Sequence, residues 1–308
     1  MTLTNPAASI RQRLLNLAKQ SGEDFQRILT RYAIERLLYR LSRIEARQRY
    51  ILKGAMLFVT WPEQMFRPTG DLDLLGHGPS DPEAITHLFQ QICQVEYLTD
   101  GIVFDAARIR VDTVRENDEY QGVRVTLRAF IGKTQIPVQV DIGFGDHVYP
   151  APGQRAFPVM LDDLPAPTVL MYPPETVIAE KLEAAIRFGQ TNGRIKDFYD
   201  LWIISRTFRF DLATLAEAIR GTLARRGTDI PDGVPPALAL EFADSPERQK
   251  LWAGFLRRNP PSVPPPPFAT LMADLRRFLL PVLRVATRPN SSGVAQWNPD
   301  SGSWHLGP

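Results

Sequence analysis

The sequence predicts an α+β protein in which helices come first, strands follow and helices return. Three observations carry this. Before residue 50, Ile34, Leu37, Leu38, Leu41 and Ile44 recur at helical spacing and form one apolar stripe. Between Asp71 and Ile142, two segments alternate polar and apolar residues with the period of a strand. From Pro174 to Val285, helical text returns with short interruptions. The 308 residues suffice for about two ordinary domains.

The elements follow in order. Residues 9 to 49 are predicted helical, and Ser21-Gly22 divides them into two helices. Gly54 to Trp61 is an apolar stretch that suits one short helix, and Pro62 and Pro68 bracket a loop. Asp71-Leu72-Asp73-Leu74-Leu75-Gly76 alternates and is predicted as a strand. Pro82 to Tyr97 is predicted as a helix with Ser80 or Asp81 as its cap and Pro82 at its first position. Val123 to Ile131 and Ile136 to Ile142 alternate about a turn at Gly132-Lys133-Thr134-Gln135, which predicts an antiparallel hairpin. Asp141 then points away from the face of Val140 and Ile142. A helix is predicted from Pro174 to Phe188, ended by Gly189, and another from about Lys196 to Arg206. Helical text continues to Arg226 and again from Pro246 to Arg258. Six prolines between Pro260 and Pro267 force an extended link before a last helix over Thr270 to Val285. The resulting division is 1–50 helical, 51–150 core, 151–288 a C-terminal helical domain and 289–308 a loose tail.

Composition narrows the function classes. Hydrophobic residues are 44% and charged residues 23%, the mix of a globular protein. Cys93 is the one cysteine, so no internal disulfide forms, which suits a reducing compartment and a cytoplasmic location. No apolar run is long enough to span a bilayer, and Met1 to Gln20 has no secretory apolar core. Lys plus Arg is 36 against 34 Asp plus Glu, a net charge of +2. The distribution is less even. Residues 11 to 50 hold ten Lys/Arg against four acids, a local +6, which is either a solvated helix face or a surface that meets phosphates. The sequence has no GxxxxGK[ST] phosphate loop, no HExxH and no CxxC pair, and its four histidines lack ligand spacing.

The residues that can carry chemistry fall into two groups. Asp71 and Asp73 sit two apart on a strand, so both carboxylates leave one face. Such a pair suits a hard divalent cation that also binds substrate phosphates, and Asp141 is a third carboxylate on another strand. The plainer alternative is a solvated acidic strand edge. Lys53-Gly54-Ala55 precedes the pair at the start of the short apolar helix, where free N–H groups suit a phosphate. Arg67-Pro68-Thr69-Gly70 leads into Asp71. The second group is Glu180-Lys181, Arg187 and Arg194-Ile195-Lys196-Asp197-Phe198-Tyr199-Asp200. Lys181 lies among apolar neighbours and either snorkels or meets an anion. Asp197 and Asp200 share one helix side; as a helix-start acid, Asp197 also has a purely structural explanation.

The ordered set resembles the AbiEii/AbiGii nucleotidyltransferase-like toxins of type IV toxin–antitoxin and phage abortive-infection systems. It comprises Lys53-Gly54-Ala55, Arg67-x-Thr69-x-Asp71-Leu72-Asp73-Leu74, Val140-Asp141-Ile142, Lys181-Leu182 and Lys196-Asp197-x-x-Asp200-Leu201. The resemblance spans roughly residues 25 to 205. It implies a DNA polymerase β-like nucleotidyltransferase core with a mixed sheet, N-terminal helices and a C-terminal helical domain. By resemblance Asp71, Asp73 and Asp141 would be metal ligands, with two Mg²⁺ ions as cofactor. Lys181 would hold the NTP phosphates, helped by Lys53, Gly54, Arg67, Thr69 and Arg187. Asp200, or Asp197, would be the essential carboxylate of the last motif. The resemblance implies nucleotide transfer from an NTP to an RNA acceptor, tRNA in some relatives, growth inhibition, and a separate antitoxin acting through transcription. One departure stands out. The family's Gly-Gly-Ser/Thr is Gly54-Ala55-Met56 here, so the phosphate-contacting hydroxyl is missing. That keeps two rivals in view: a catalytically silent nucleotide-binding scaffold, and a transferase acting on a protein or small molecule. The Arg-rich N-terminal helices and the Arg124/Arg128 strand face are candidate RNA contacts.

Overall fold

The computed structural model describes residues 5–61, 69–117, 120–258, 260–288 and 294–306, with backbone alone at 115–117 and 120–121. The chain divides into two compact units, one of residues 1–60, 68–145 and 153–171, the other of 61–67, 146–152 and 172–308.

The first unit joins the N-terminal helices to the sheet. Helix α1 (Pro6–Ser21) starts where the Asn5 side chain accepts from the Ala8 N–H at 3.0 Å, and it ends at Gly22 in the left-handed region. Helix α2 (Phe25–Leu41) is capped by Asp24, which accepts from the Arg27 N–H. Next come β1 (Tyr50–Lys53), a seven-residue 3-10 turn (Gly54–Thr60), β2 (Asp71–Gly76) and α3 (Pro82–Gln94), the last capped by Asp81. The strands β3 (Ile102–Phe104), β4 (Arg110–Asn117), β5 (Tyr120–Ile131), β6 (Thr134–Phe144), β7 (Gly153–Ala156) and β8 (Thr168–Met171) complete the unit. Among the described residues they form one eight-stranded mixed sheet ordered β3-β5-β6-β2-β1-β8-β7, with β4 also on β5. The β5–β6 hairpin is antiparallel, whereas β2–β6 and β1–β8 are parallel.

Alternation decides which sheet face is buried. Leu72 and Leu74 of β2 and Val138, Val140 and Ile142 of β6 are buried, while Asp71, Asp73, Gln139 and Asp141 are half-exposed. Leu37, Leu38 and Leu41 of α2 and Leu88, Phe89 and Ile92 of α3 meet Leu72 and Leu74 on the apolar side.

Helix α2 is buried on nearly every side, which overturns part of the basic-surface expectation. Arg36 and Arg40 are buried. Arg40 makes a two-pronged pair with Asp100, with N···O distances of 2.7 and 3.2 Å. Arg36 Nε lies 3.0 Å from Glu35 Oε1, Arg36 Nη2 donates to the Pro165 carbonyl, and Glu35 accepts from the Met160 N–H. Burial pushes the Glu35 carboxyl up to about 7 against the pull of Arg36. These arginines stitch the unit together and are not presented to a phosphate.

The second unit holds α4 (Pro174–Phe188), α5 (Ile195–Thr207), β9 (Phe210–Asp211) and α6 (Leu212–Arg225). It continues with α7 (Leu240–Asp244), α8 (Pro246–Arg258) and α9 (Phe268–Ala286), then β10 (Ala295–Asn298) and β11 (Ser303–Leu306). The expectation of a loose tail fails for its described residues. β10 and β11 pair with each other, and β10 also pairs with β9. Two tryptophans explain this. Trp297 and Trp304 ring centroids lie 4.7 and 5.9 Å from that of Phe278, and both indole N–H groups reach buried carbonyls. No helix among the described residues is long and apolar enough to cross a membrane.

Candidate active site

The polar face of the first unit's sheet carries the first group of residues. Lys53 on β1 stands opposite Asp73 on β2, and Asp73 stands beside Asp141 on β6. Asp71 lies two residues before Asp73 on the same face, and the Thr69 hydroxyl donates to its Oδ1. Gly54 follows Lys53 at φ +70°. A Cβ there would sit 1.9 Å from Asp73 Oδ2, so the Gly54 backbone lies directly against that carboxylate.

The short helix expected after Gly54 is present in 3-10 form, and Ala55, Met56, Leu57 and Phe58 are buried. Ala55 and Met56, which stand where the related motif has a hydroxyl, serve the core instead. Arg67 lies outside the described residues.

Asp141 faces the same side as predicted, but it is engaged. Arg124 Nε donates to Oδ1 at 2.7 Å and Nη2 to Oδ2 at 2.9 Å, while Gln139 Nε2 donates to Oδ2 at 3.1 Å. The hydrogen bond to Asp141 holds the Arg124 guanidinium above its ordinary pKa. Among the described residues no three His, Cys, Asp or Glu side chains converge as a ready metal cage. The donor chemistry of Asp71 and Asp73 nonetheless fits a hard divalent cation, which takes one or two carboxylates and completes its shell with water and substrate phosphate. Asp141 is a further carboxylate beside Asp73, but Arg124 and Gln139 occupy both of its oxygens.

The second unit carries the other group. Lys181 on α4 is bridged by two aspartates of α5, with Nζ 2.7 Å from Asp197 Oδ1 and 2.8 Å from Asp200 Oδ2. Both carboxylates are buried. Burial alone would raise the Asp197 carboxyl, but Lys181 and Arg194 outweigh it and hold it below the carboxylate range. Arg194 Nε donates to Asp197 Oδ2 at 2.7 Å. The last motif's two aspartates therefore act together on one lysine. Arg187 lies elsewhere on α4, its Nε 3.2 Å from Glu183 Oε1.

A neighbouring cluster escaped the sequence reading. Arg226 is half-enclosed by Asp146, Glu180 and Glu183, at 3.0, 3.4 and 2.9 Å. The Tyr172 hydroxyl donates to Glu180 at 3.2 Å, and Thr228 donates to Glu183. Burial works against the charged guanidinium, but the three carboxylates raise its pKa further. Glu180 adjoins Lys181 in sequence, yet Arg226 and Asp146 lie 80 residues apart, so no local pattern marks the cluster.

Comparison with known proteins places the chain in a family. The profile of a family described as "Nucleotidyl transferase AbiEii toxin, Type IV TA system" matches residues 36–274. Two crystal structures from Helicobacter pylori are similar. One, described as a nucleotidyltransferase candidate, shares 14% identity over 86% of this chain and 97% of its own, with a TM-score of 0.47. The other, JHP933, shares 14% identity over 86% of this chain and 94% of its own, with a TM-score of 0.46. No curated protein matches. With the family profile covering well over half its length, and the paired aspartates and the Lys181 cluster falling within that span, the chain belongs to the AbiEii family of nucleotidyl transferase toxins of type IV toxin–antitoxin systems.

Proposed function

We propose that this toxin-family nucleotidyltransferase is Mg²⁺-dependent and moves a nucleotide from an NTP to an RNA acceptor, with tRNA the leading one, thereby arresting growth in the cytoplasm. The observation that carries the reading is the pair Asp71 and Asp73 on one sheet face, with Gly54 backbone against Asp73 and Thr69 holding Asp71. Mg²⁺ held by these two carboxylates would supply charge neutralisation for the triphosphate and an activated acceptor hydroxyl, a second ion needing Asp141 released from Arg124.

The chain's own residues supply the rest. The acceptor hydroxyl oxygen bonds to the α-phosphorus, the α–β phosphoanhydride bond breaks, and pyrophosphate leaves. Thr69 occupies Oδ1 of Asp71, which leaves Oδ2 to face the cation, and the hydroxyl proton passes to solvent water. In the second unit Lys181, fixed by Asp197 and Asp200, is a cation of the kind that binds phosphate. Lys53 and the Gly54 backbone border Asp73 and assist in phosphate binding. A separate antitoxin acting on transcription is the partner that family membership suggests.

The test incubates the protein with each of four labelled NTPs, Mg²⁺ and total cellular RNA, beside Asp71→Ala. Label is expected in RNA with wild type only. Because Asp71 is half-exposed, the variant should melt within a few degrees of wild type while losing at least ~100-fold in rate. A folded Asp71→Ala protein with full activity would contradict the mechanism.

A further inference from the structure

The same sheet face continues past the aspartates into a cleft of about 730 Å³, a size typical of ligand sites. Its walls come from the first unit, and they include Gly70, Arg108, Arg110, Thr126, Arg128 and Gln139. Two of these touch the reaction centre directly. Gly70 precedes Asp71 in the chain, and Gln139 donates to Asp141 at 3.1 Å.

The cleft is lined by three arginines, and two of them have no ion pair among the described residues. Arg110 on β4 stands opposite Thr126 on β5, and Arg128 lies two residues beyond Thr126, so all three share the face. Arg110 and Arg128 are exposed, and neither has an ion pair among the described residues. Arg108 is exposed and only loosely paired, its Nε 3.7 Å from Asp105. Along β5 the face then reaches Phe130, half-buried, opposite Val103, which is 67% exposed. From Thr126 to Phe130 the face therefore runs polar, cationic, aromatic, in steps of roughly 7 Å. That step is comparable to the repeat of an extended polynucleotide strand. Cations that follow a backbone, beside an aromatic surface for a base, are how single strands are held without sequence readout.

We propose that this cleft binds the acceptor: a single-stranded polynucleotide end whose terminal hydroxyl lies at Asp71, whose last phosphates lie on Arg110 and Arg128, and whose base stacks on Phe130. The proposal rests on the RNA-acceptor reading above and extends it. It disfavours a protein or small-molecule acceptor, because neither needs the exposed guanidinium groups of Arg110 and Arg128 beside the reaction centre.

The experiment measures binding of a fluorescein-labelled single-stranded RNA with a free 3′-hydroxyl over a salt series, together with the KM for that RNA. Arg110→Ala/Arg128→Ala should weaken binding about tenfold or more at low salt. It should also flatten the slope of log K against log salt by about 1.4, at ~0.7 for each lost phosphate contact on a single strand. Phe130→Leu should weaken binding several-fold without changing the slope. Arg47→Ala, an exposed arginine outside the cleft, should behave as wild type. NTP affinity should stay unchanged throughout, which also reports that the variants fold; the milder Arg128→Gln gives half the slope change if the double variant is unstable. RNA labelled by wild type, with affinity, slope and KM unaltered in the double variant, would overturn the cleft and leave the proposed activity standing. Wild type that labels a protein or small molecule and no RNA would overturn both.

Discussion

Gly54 is held by two independent constraints. Its φ of +70° costs any residue with a side chain about 1–2 kcal/mol. A Cβ would also land on the Asp73 carboxylate. Gly54→Ala must therefore move Asp73 or distort the turn. The expected result is a drop of at least ~100-fold in transfer rate with a stability loss of only about 1–3 kcal/mol, read by comparing initial rates with a denaturant melt. Equal rates in the two proteins would show that Asp73 has no part in the chemistry. The sequence placed Asp71 and Asp73 on one face and turned Asp141 away from Val140 and Ile142, because strand alternation alone does so, whereas the β2–β6 pairing that sets Asp141 beside Asp73 is tertiary. It did not reveal that Asp141 is already paired. That pairing follows from the hairpin register: counting back from Ile131 opposite Thr134 puts Arg124 opposite Asp141. Lys181 was conspicuous as a lysine among apolar residues, but its bond to both Asp197 and Asp200 depends on how two helices pack.

At the level of elements, α2 shows how charge in a sequence misleads. Its arginines look like a basic surface because counting ignores direction. Burial then reassigns Arg36 and Arg40 to internal pairs with Glu35 and Asp100. The Glu35 pair has a measurable consequence. Its carboxyl titrates near 7 in the folded protein against an ordinary 4.5, so the folded state holds its proton more tightly than the unfolded chain. The stability from this group is complete below about 4.5, falls as pH rises to about 7, and is then level. At ~1.4 kcal/mol per pH unit the loss is roughly 3 kcal/mol. Melting curves from pH 4.5 to 8 should show that decline in wild type and a flatter profile in Glu35→Gln. Parallel profiles would mean that the buried carboxyl is not the titrating group. Other elements were hidden for different reasons. β1 is buried on both faces and so lacks alternation, β3, β7 and β8 have only three or four residues, and β4 is an edge strand rich in charge. The β10–β11 hairpin lay in a stretch whose Gly, Pro, Ser and Asn content suggests a loose tail, and Trp297 and Trp304 override that composition.

For the whole molecule, the order of helices, strands and helices was legible because long amphipathic segments announce their period. Pro174–Phe188 with Gly189 behind it was correct to the residue. The boundaries of the compact units were not legible. Residues 1–50 belong with the sheet, and 153–171 return to it as β7 and β8. Such sorting depends on contacts distant in sequence, which no local pattern encodes. The activity itself was legible only as an ordered set of short motifs, each weak alone, and the central claim is the reaction they perform. The most direct measurement supplies RNA and the preferred NTP labelled in parallel at the α- and γ-phosphates, and follows both labels. Nucleotidyl transfer predicts that the α-label enters RNA while the γ-label leaves as pyrophosphate, both lost with Asp71→Ala. A γ-label in RNA, or an α-label that never leaves the NTP, would contradict the account.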